Sequence, residues 1–217
     1  MNRTITVKGS GSASARPDTV VISLELESKD KEYERATELA TAAIDELSAA
    51  VIRAGFEKDD LKTVNFNVYT DYQSIHDGNG NYRREFDGYV VAHSLRLELV
   101  FDTNLLSKIL SAIGCCTAHP SVSVAFTVKD PAALNAEVLR NAAENARSKA
   151  EILCTASGKK LGELLSIDYS WGELNVYSNT RFGMADECLG MAEAKSMEMV
   201  PEDVSVSDTV TFVWSME

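Results

Sequence analysis

Apolar residues recur along this chain in two periods, one of three to four and one of two. From Asp130 to Gly158 the period is helical: Ala136, Leu139, Ala143, Ala146, Ala150 and Leu153 form one stripe. Asp130 can accept from orphan backbone amides as an N-cap. Pro131 sits at the first helical position, where a missing N–H costs nothing, and Gly158 supplies the left-handed residue that ends the helix. At about 1.5 Å per residue this helix is roughly 40 Å long, and its alanines let a covering sheet or helix come close. Arg140 with Glu144, and Arg147 with Glu151, are four apart on the wet side. A second long helix is capped by Ser28 or Asp30 and runs through Ala54. Its stripe is Tyr33, Ala36, Ala40, Ala43, Leu47, Ala50 and Ala54, and Gly55 stops it.

The period of two marks strands. Thr4 to Lys8 reads as a short strand, followed by a turn at Gly9-Ser10-Gly11. A strand opened by Pro17-Asp18 alternates Val20, Ile22, Leu24 and Leu26 with Val21, Ser23, Glu25 and Glu27. Leu61 to Tyr72 is next, then a hairpin loop from Gln73 to Tyr82. Phe86 to Phe101 places Tyr89, Val91, His93, Leu95, Leu97 and Leu99 on one face. Thr103 to Ile113 is a short amphipathic helix closed by Gly114. Val122, Val124, Phe126 and Val128 make another strand. Leu161 to Trp171 and Asp203 to Met216 are the last two, with Asp208 breaking the apolar face of the final one.

Strand, long helix, strand, strand occurs at about 17–101 and again at about 120–215. Pro17 to Pro120 and Gly55 to Gly158 share one offset, which predicts a duplicated βαββ unit within a single domain, 1–217. A competing parse takes 17–128 as a ferredoxin-like unit with a C-terminal addition. Both give the α+β class, with two long helices on an antiparallel or mixed sheet. Residues 174–202 have no clean period and hold Met184, Met191, Met197 and Met199. They read as a mobile or oligomer-contact insertion, since methionine suits an adaptable surface.

Composition narrows the partners. The 217 residues carry a formal net charge of −12, which repels phosphate backbones and argues against nucleic acid. No segment approaches the ~20 apolar residues of a membrane span. The N-terminus has one Arg and no apolar run, so it does not read as a secretion signal, and the protein is expected to be cytoplasmic. Cys115, Cys116, Cys154 and Cys188 are then expected to be thiols.

Catalytic chemistry finds little to stand on. A hydrolase triad needs a histidine. His76 lies in the polar hairpin loop, His119 precedes Pro120 at a strand entry, and His93 on its apolar face reads as a satisfied core histidine. Gly9-Ser10-Gly11 is no nucleotide fingerprint, because Ser14 stands where a third glycine belongs and no helix opens there. Cys115-Cys116 with His119 gathers two thiols and an imidazole, but adjacent cysteines rarely face one ion. A fourth ligand would have to come from Cys188 or a second subunit. A thiol at the end of a helix also has its pKa raised by the dipole, which disfavours redox sensing. No catalytic, cofactor or metal residue is assigned.

The order of certain motifs carries a resemblance. They are Val7-x-Gly9-x-Gly11, Pro17-Asp18, Gly55 with Leu61-x-Thr63, and Gly88-Tyr89. Ala143-x-x-Ala146-Arg147-x-Lys149-Ala150-x-x-Leu153 and Gly158-x-x-Leu161-Gly162 complete the series. In these the chain resembles the SIMPL-domain family, which includes YggE-like bacterial proteins and a periplasmic immunogenic protein. It is expected to depart from the family in having no leader, and it has Pro201-Glu202-Asp203 before the last strand, where Pro-Gly-Glu is common. The resemblance implies an α+β fold, a large ring- or channel-like homo-oligomer, and a largely unassigned role with suggestions of stress response. It brings no catalytic residues. The expected function is that of a non-enzymatic, self-assembling protein without cofactor. The alternative is a small-molecule binding protein, or an enzyme, with its site at a subunit interface.

Overall fold

The computed structural model describes residues 3–76, 82–170, 174–184 and 200–217. The strands are β1 (Thr4–Ala15), β2 (Thr19–Asp30), β3 (Leu61–His76), β4 (Tyr82–Val100), β5 (Ser121–Thr127), β6 (Leu161–Asp168), β7 (Tyr177–Met184) and β8 (Val204–Met216). The helices are α1 (Tyr33–Arg53), α2 (Thr103–Gly114) and α3 (Pro131–Ala156). One sheet has three strands in the order β1-β8-β6, the other five in the order β3-β4-β2-β5-β7, and the class is α+β as expected. The pairings β1–β8, β6–β8, β2–β4 and β3–β4 are antiparallel. The chain divides into two compact units: Met1–Asp18, Phe126–Thr180 and Pro201–Glu217 form unit 1, and Thr19–Ala125 with Arg181–Val200 form unit 2.

In unit 1, α3 lies on β1 and β8. Its ends are as the sequence predicts. The Asp130 carboxylate accepts from the Ala133 N–H at 3.0 Å. Gly158 has φ 69°, and the Lys159 N–H turns back to the Cys154 carbonyl at 2.8 Å. The buried row differs from the expected stripe. It is Leu134, Val138, Ala142, Ala146, Ala150 and Cys154, while Ala136 and Leu153 are exposed. These buried positions are four apart, and such a row is inclined about 26° to the helix axis. The seam therefore crosses the helix obliquely, taking in Ala146 and Ala150 and leaving the ends of the expected stripe wet. Val7, Val210, Phe212 and Trp214 meet its C-terminal half, and Ala13, Val204 and Val206 its N-terminal half. On the wet side Arg147 Nε donates to Glu151 at 3.0 Å.

Gly9-Ser10-Gly11 is not a turn. It lies inside β1, which continues to Ala15. Gly9 and Gly11 face α3 so closely that a Cβ on Gly9 would stand 2.0 Å from the Ala142 carbonyl oxygen, and one on Gly11 1.9 Å from that of Val138. The glycines are there for backbone approach. That approach lets α3 close the free edge of β1. The Ser10 N–H donates to Asn145 Oδ1 at 3.1 Å, and Asn141 Nδ2 donates to the Ser12 carbonyl at 2.8 Å. Lys149 Nζ reaches the Lys8 carbonyl at 3.3 Å. Polar side chains four apart on a helix do here what a further strand would do.

In unit 2, Val20, Ile22, Leu24 and Leu26 of β2 and Val91, Leu95, Leu97 and Leu99 of β4 are buried. α1 covers β2 and β4 and packs against α2. Of the expected α1 stripe, Ala36, Leu47, Ala50 and Ala54 are buried, but Tyr33 is exposed. The expected caps are also displaced. Ser28 and Asp30 both belong to β2, Glu32 takes the N-cap position, and Asp30 Oδ1 accepts from the Glu32 N–H at 2.9 Å. Gly55 ends the helix at φ 101°.

The β3–β4 hairpin is longer than predicted. β3 runs on to His76 and β4 starts at Tyr82, leaving the predicted loop much shorter. β2 pairs with β4 only from Tyr89 to Val100. Beyond that, among the described residues, 72–76 and 82–87 pair only with each other, as a two-stranded ribbon. Part of the 174–202 stretch is ordered as β7, where Ser178 Oγ donates to the Glu202 carbonyl at 2.7 Å. Cys188, Met191, Met197 and Met199 lie outside the described residues, and so does the expected contact role of those methionines.

Candidate functional site

The described histidines and cysteines picked out by sequence do not gather into one site. His93 accepts or shares a proton with Thr63 Oγ1 at 2.9 Å and packs edge-on to Phe66, and partial burial lowers its pKa. The side chain of His76 and all of Cys188 lie outside the described residues. Cys115 is exposed and Cys116 is buried, so the adjacent thiols point apart, and His119 follows in a left-handed conformation with φ 45°. Among the described residues no three His, Cys, Asp or Glu side chains gather as metal ligands would.

That turn is held by a residue the sequence reading missed. Glu46 of α1 accepts from the Thr117 N–H at 2.7 Å and from its hydroxyl at 2.6 Å. The hydroxyl first, and then the N–H, keep the Glu46 carboxyl below its ordinary range. Burial raises the pKa of Cys116, and the Glu46 charge beside it adds to the effect. The cluster fastens the loop after α2 to α1 and favours the protonated form of the inner thiol.

The surface least explained by folding is the β3–β4 ribbon. Tyr33 meets Tyr89 edge-on at 5.6 Å, Tyr89 meets Phe86 at 5.3 Å, and Phe86 meets Tyr72 at 6.0 Å. Arg84 lies over the Tyr72 ring at 5.2 Å. This file of rings starts at the N-terminus of α1 and continues onto the ribbon. Among the described residues no helix covers it there: Tyr72 and Phe86 are exposed, and Tyr82 is 74% exposed. At the root of the ribbon Lys29 donates to Asp71 at 2.8 Å and also to Asp87, joining β2, β3 and β4. Those bonds raise the Lys29 pKa, Asp71 contributing most, and Lys29 lowers that of Asp71. The apolar letters of the ribbon were visible in the sequence. Their exposure was not, because it depends on where α1 begins.

Unit 1 has a groove of about 380 Å³ between α3 and β6, lined by Arg147, Glu151, Leu161, Leu164, Phe212 and Trp214 among others. The two rings are stacked at 5.3 Å. Asp208, which interrupts the apolar face of β8, is the acceptor for the Tyr169 hydroxyl, whose pKa it raises. Nothing in the groove gathers an acid, a base and a nucleophile.

Two helix-on-sheet units, with no catalytic group assembled among the described residues, define an α+β protein whose notable surface is an aromatic ribbon. Residues 5–214 match the family model "SIMPL: Protein of unknown function (DUF541)", and the chain belongs to the SIMPL family. It is similar to the 26 kDa periplasmic immunogenic protein of Brucella melitensis biotype 1, at 28% identity over 75% of this chain and 65% of that protein. It is similar at 27% identity, with the same coverage, to the protein of that name from Brucella abortus strain S19. The chain thus spans less than two thirds of the length of these relatives. Neither name is that of an enzyme. Both place the relative in the periplasm, and this overturns the cytoplasmic location expected from the N-terminus. That expectation rested on the first few residues alone, which are a poor guide to where the folded part works. Among the described residues no helix is long and apolar enough to cross a membrane.

Proposed function

We propose that this chain is a non-enzymatic interaction protein that works by assembling with copies of itself, outside the cytoplasm like its named relatives. The observation that carries the reading is the two-stranded ribbon with a bare aromatic file on it. An isolated two-stranded hairpin is marginally stable in water, and large exposed apolar patches mark contact surfaces. The dispersal of His93, Cys115, Cys116 and His119 supports the non-enzymatic part. Light scattering or native mass spectrometry tests it. The expected result is a mass well above the 23.7 kDa of one chain, and a strict monomer at working concentration would overturn it.

A second reading draws on the groove beside Arg147: a small molecule with an acidic group and an apolar body could sit against the Phe212–Trp214 stack. A metabolite panel read by thermal shift, with Arg147→Ala as control, would find it.

A further inference from the structure

β3 carries two charges, Lys62 near its start and Asp71 towards its end, and neither is balanced within the chain. Lys62 stands opposite Arg96 of β4, a like-charged cross-strand pair of the kind that weakens a sheet. Arg96 is taken by Glu98 at 2.6 Å, and among the described residues Lys62 has no acidic partner. At the other end two carboxylates, Asp71 and Asp87, share the one ammonium of Lys29. Arg84, which lies over the Tyr72 ring, is the weakest influence on the Asp71 carboxyl. Glu25 and Glu27 stand on β2, two strands in from this edge and roughly 10 Å away at about 4.8 Å per strand. The edge strand thus has surplus positive charge at one end and surplus negative charge at the other.

An antiparallel copy of the same strand brings opposite ends together. The faces fix its register. Val64 is an extra residue at a bulge, so Lys62 falls with Asn67 and Asp71 on the face away from α1, while Leu61, Phe66, Val68 and Tyr72 share the other face. Placed antiparallel about a two-fold axis through Asn67, Lys62 comes opposite the partner's Asp71, Phe66 opposite the partner's Val68 and Leu61 opposite the partner's Tyr72. Each of these pairings occurs twice. The neighbouring registers that keep the faces matched put Lys62 opposite Tyr69 or Gln73 and part the charges. We infer that β3 of one copy pairs antiparallel with β3 of a second copy from Leu61 to Tyr72, about a two-fold axis at Asn67, joining two five-stranded sheets into one. This rests on the self-assembly proposed above. The seam spans roughly 35 Å at about 3.3 Å per residue. It covers Phe66, which is 55% exposed in the single chain, and gives the open backbone groups of the edge their partners. The occupant is a second copy because β3, read in reverse, supplies the charge and the apolar residue that each of these positions lacks. Past Tyr72 the charges of the ribbon are mixed, and the seam ends there.

Two kinds of variant test it on the whole chain. Lys62→Glu removes the like-charged pair with Arg96, so the fold, followed by circular dichroism and thermal melting, should be kept or made more stable. Between copies it sets carboxylate against carboxylate twice. The expected result is a lower native mass, with a dissociation constant raised about tenfold or more, while Lys62→Arg keeps the wild-type mass. Asn67→Cys places two thiols on the axis, at the roughly 4.5–5.5 Å Cα separation of directly opposite residues, which is within disulfide reach. Mild oxidation should link this variant to itself, with the linked peptide identified by mass mapping. Asn65→Cys, equally exposed but with its two copies roughly 14 Å apart along the seam, should stay at the wild-type baseline. A monomeric wild type would overturn the self-assembly reading along with this one. An assembled wild type whose mass survives Lys62→Glu, or in which Asn67→Cys links no faster than Asn65→Cys, would overturn this inference and leave self-assembly standing.

Discussion

Replacing Gly9 by alanine asks how closely α3 must lie on β1. The added Cβ would stand 2.0 Å from the Ala142 carbonyl oxygen and 2.6 Å from the Ala146 Cβ. One obstacle is backbone, so no rotamer relieves it. Ordinary contact begins near 3.4 Å, which means the helix must rise by about 1.4 Å at this point. The same lift stretches the bonds from Ser10 N–H to Asn145 (3.1 Å) and from Asn141 to the Ser12 carbonyl (2.8 Å) beyond hydrogen-bond range. Two lost bonds cost about 1 kcal/mol each, and forced overpacking about 1–3 kcal/mol. Gly9→Ala should therefore destabilise unit 1 by about 3–5 kcal/mol, a large share of the roughly 5–15 kcal/mol that holds a domain together. Gly11→Ala, whose Cβ meets the Val138 carbonyl at 1.9 Å, should behave alike. In an open strand the same change would stabilise by about 0.5–1 kcal/mol, so the sign itself is informative. Urea unfolding followed by tryptophan fluorescence and circular dichroism measures it, with Ser12→Ala on the exposed face as control. A loss under about 1 kcal/mol for Gly9→Ala would refute the close-approach account.

The remaining side chains give sharper readouts than stability alone. Glu46 has its folded pKa lowered by Thr117, so its stabilisation is complete above the unfolded pKa and is lost as pH falls through the folded one. Glu46→Gln should flatten the acid-side decline in Tm of unit 2, and an unchanged acid limb would count against the clamp. Alkylation of the native protein followed by mass mapping should label Cys115 quickly and leave Cys116 and Cys154 untouched until unfolding, since only the first is exposed; prompt labelling of Cys116 would contradict its burial against Glu46. His93 has its pKa lowered by burial, so its neutral form is favoured by folding; that contribution is full above the unfolded pKa and fades as pH falls below it. NMR titration should find its midpoint below that of an exposed histidine, and a raised midpoint would mean an unrecognised acidic neighbour.

What the sequence made legible was chiefly punctuation. Asp130, Pro131 and Gly158 bound α3, and Gly55 stops α1, because caps act through the local backbone and need no tertiary context. Alanine was less informative. It satisfies a helical stripe whether buried or wet, so Ala136 looked as good as Ala142, and only the oblique crossing of α3 on its sheet separates them. Gly9-Ser10-Gly11 failed for a related reason: glycine signals either a turn or a close neighbour, and a strand of Ser, Gly and Ala has no apolar contrast to say which. The ribbon was read as a loop from its polar letters, Gln73 and Ser74 among them, yet cross-strand pairing with Glu85 and Arg84 holds it extended. Whether Tyr72 and Phe86 are covered is not a local property at all. It follows from α1 beginning at Tyr33 and not further along the ribbon.

The two described sheet edges that differ most are treated in opposite ways, and that contrast bears on what the open one does. β1 is an edge strand on which the Lys8 and Ser12 carbonyls and the Ser10 N–H are taken by side chains of α3. β3 is an edge strand of 16 residues without proline and with only Lys62 and Asp71 charged. On it Val64 is 65% exposed and Phe66 55%. An edge so long and apolar invites pairing with another chain, and stable monomers usually blunt theirs with charge, proline or cover. If β3 were bare by accident, a lysine at Val64 would leave the native mass unchanged and only improve solubility, because Val64 falls at a bulge and contributes nothing to the buried core. If the edge is instead part of a contact between copies, Val64→Lys should lower the native mass while the far-ultraviolet spectrum and Tm stay as they are. A folded Val64→Lys protein with the wild-type mass would separate β3 from the assembly and leave its exposure without a purpose in it.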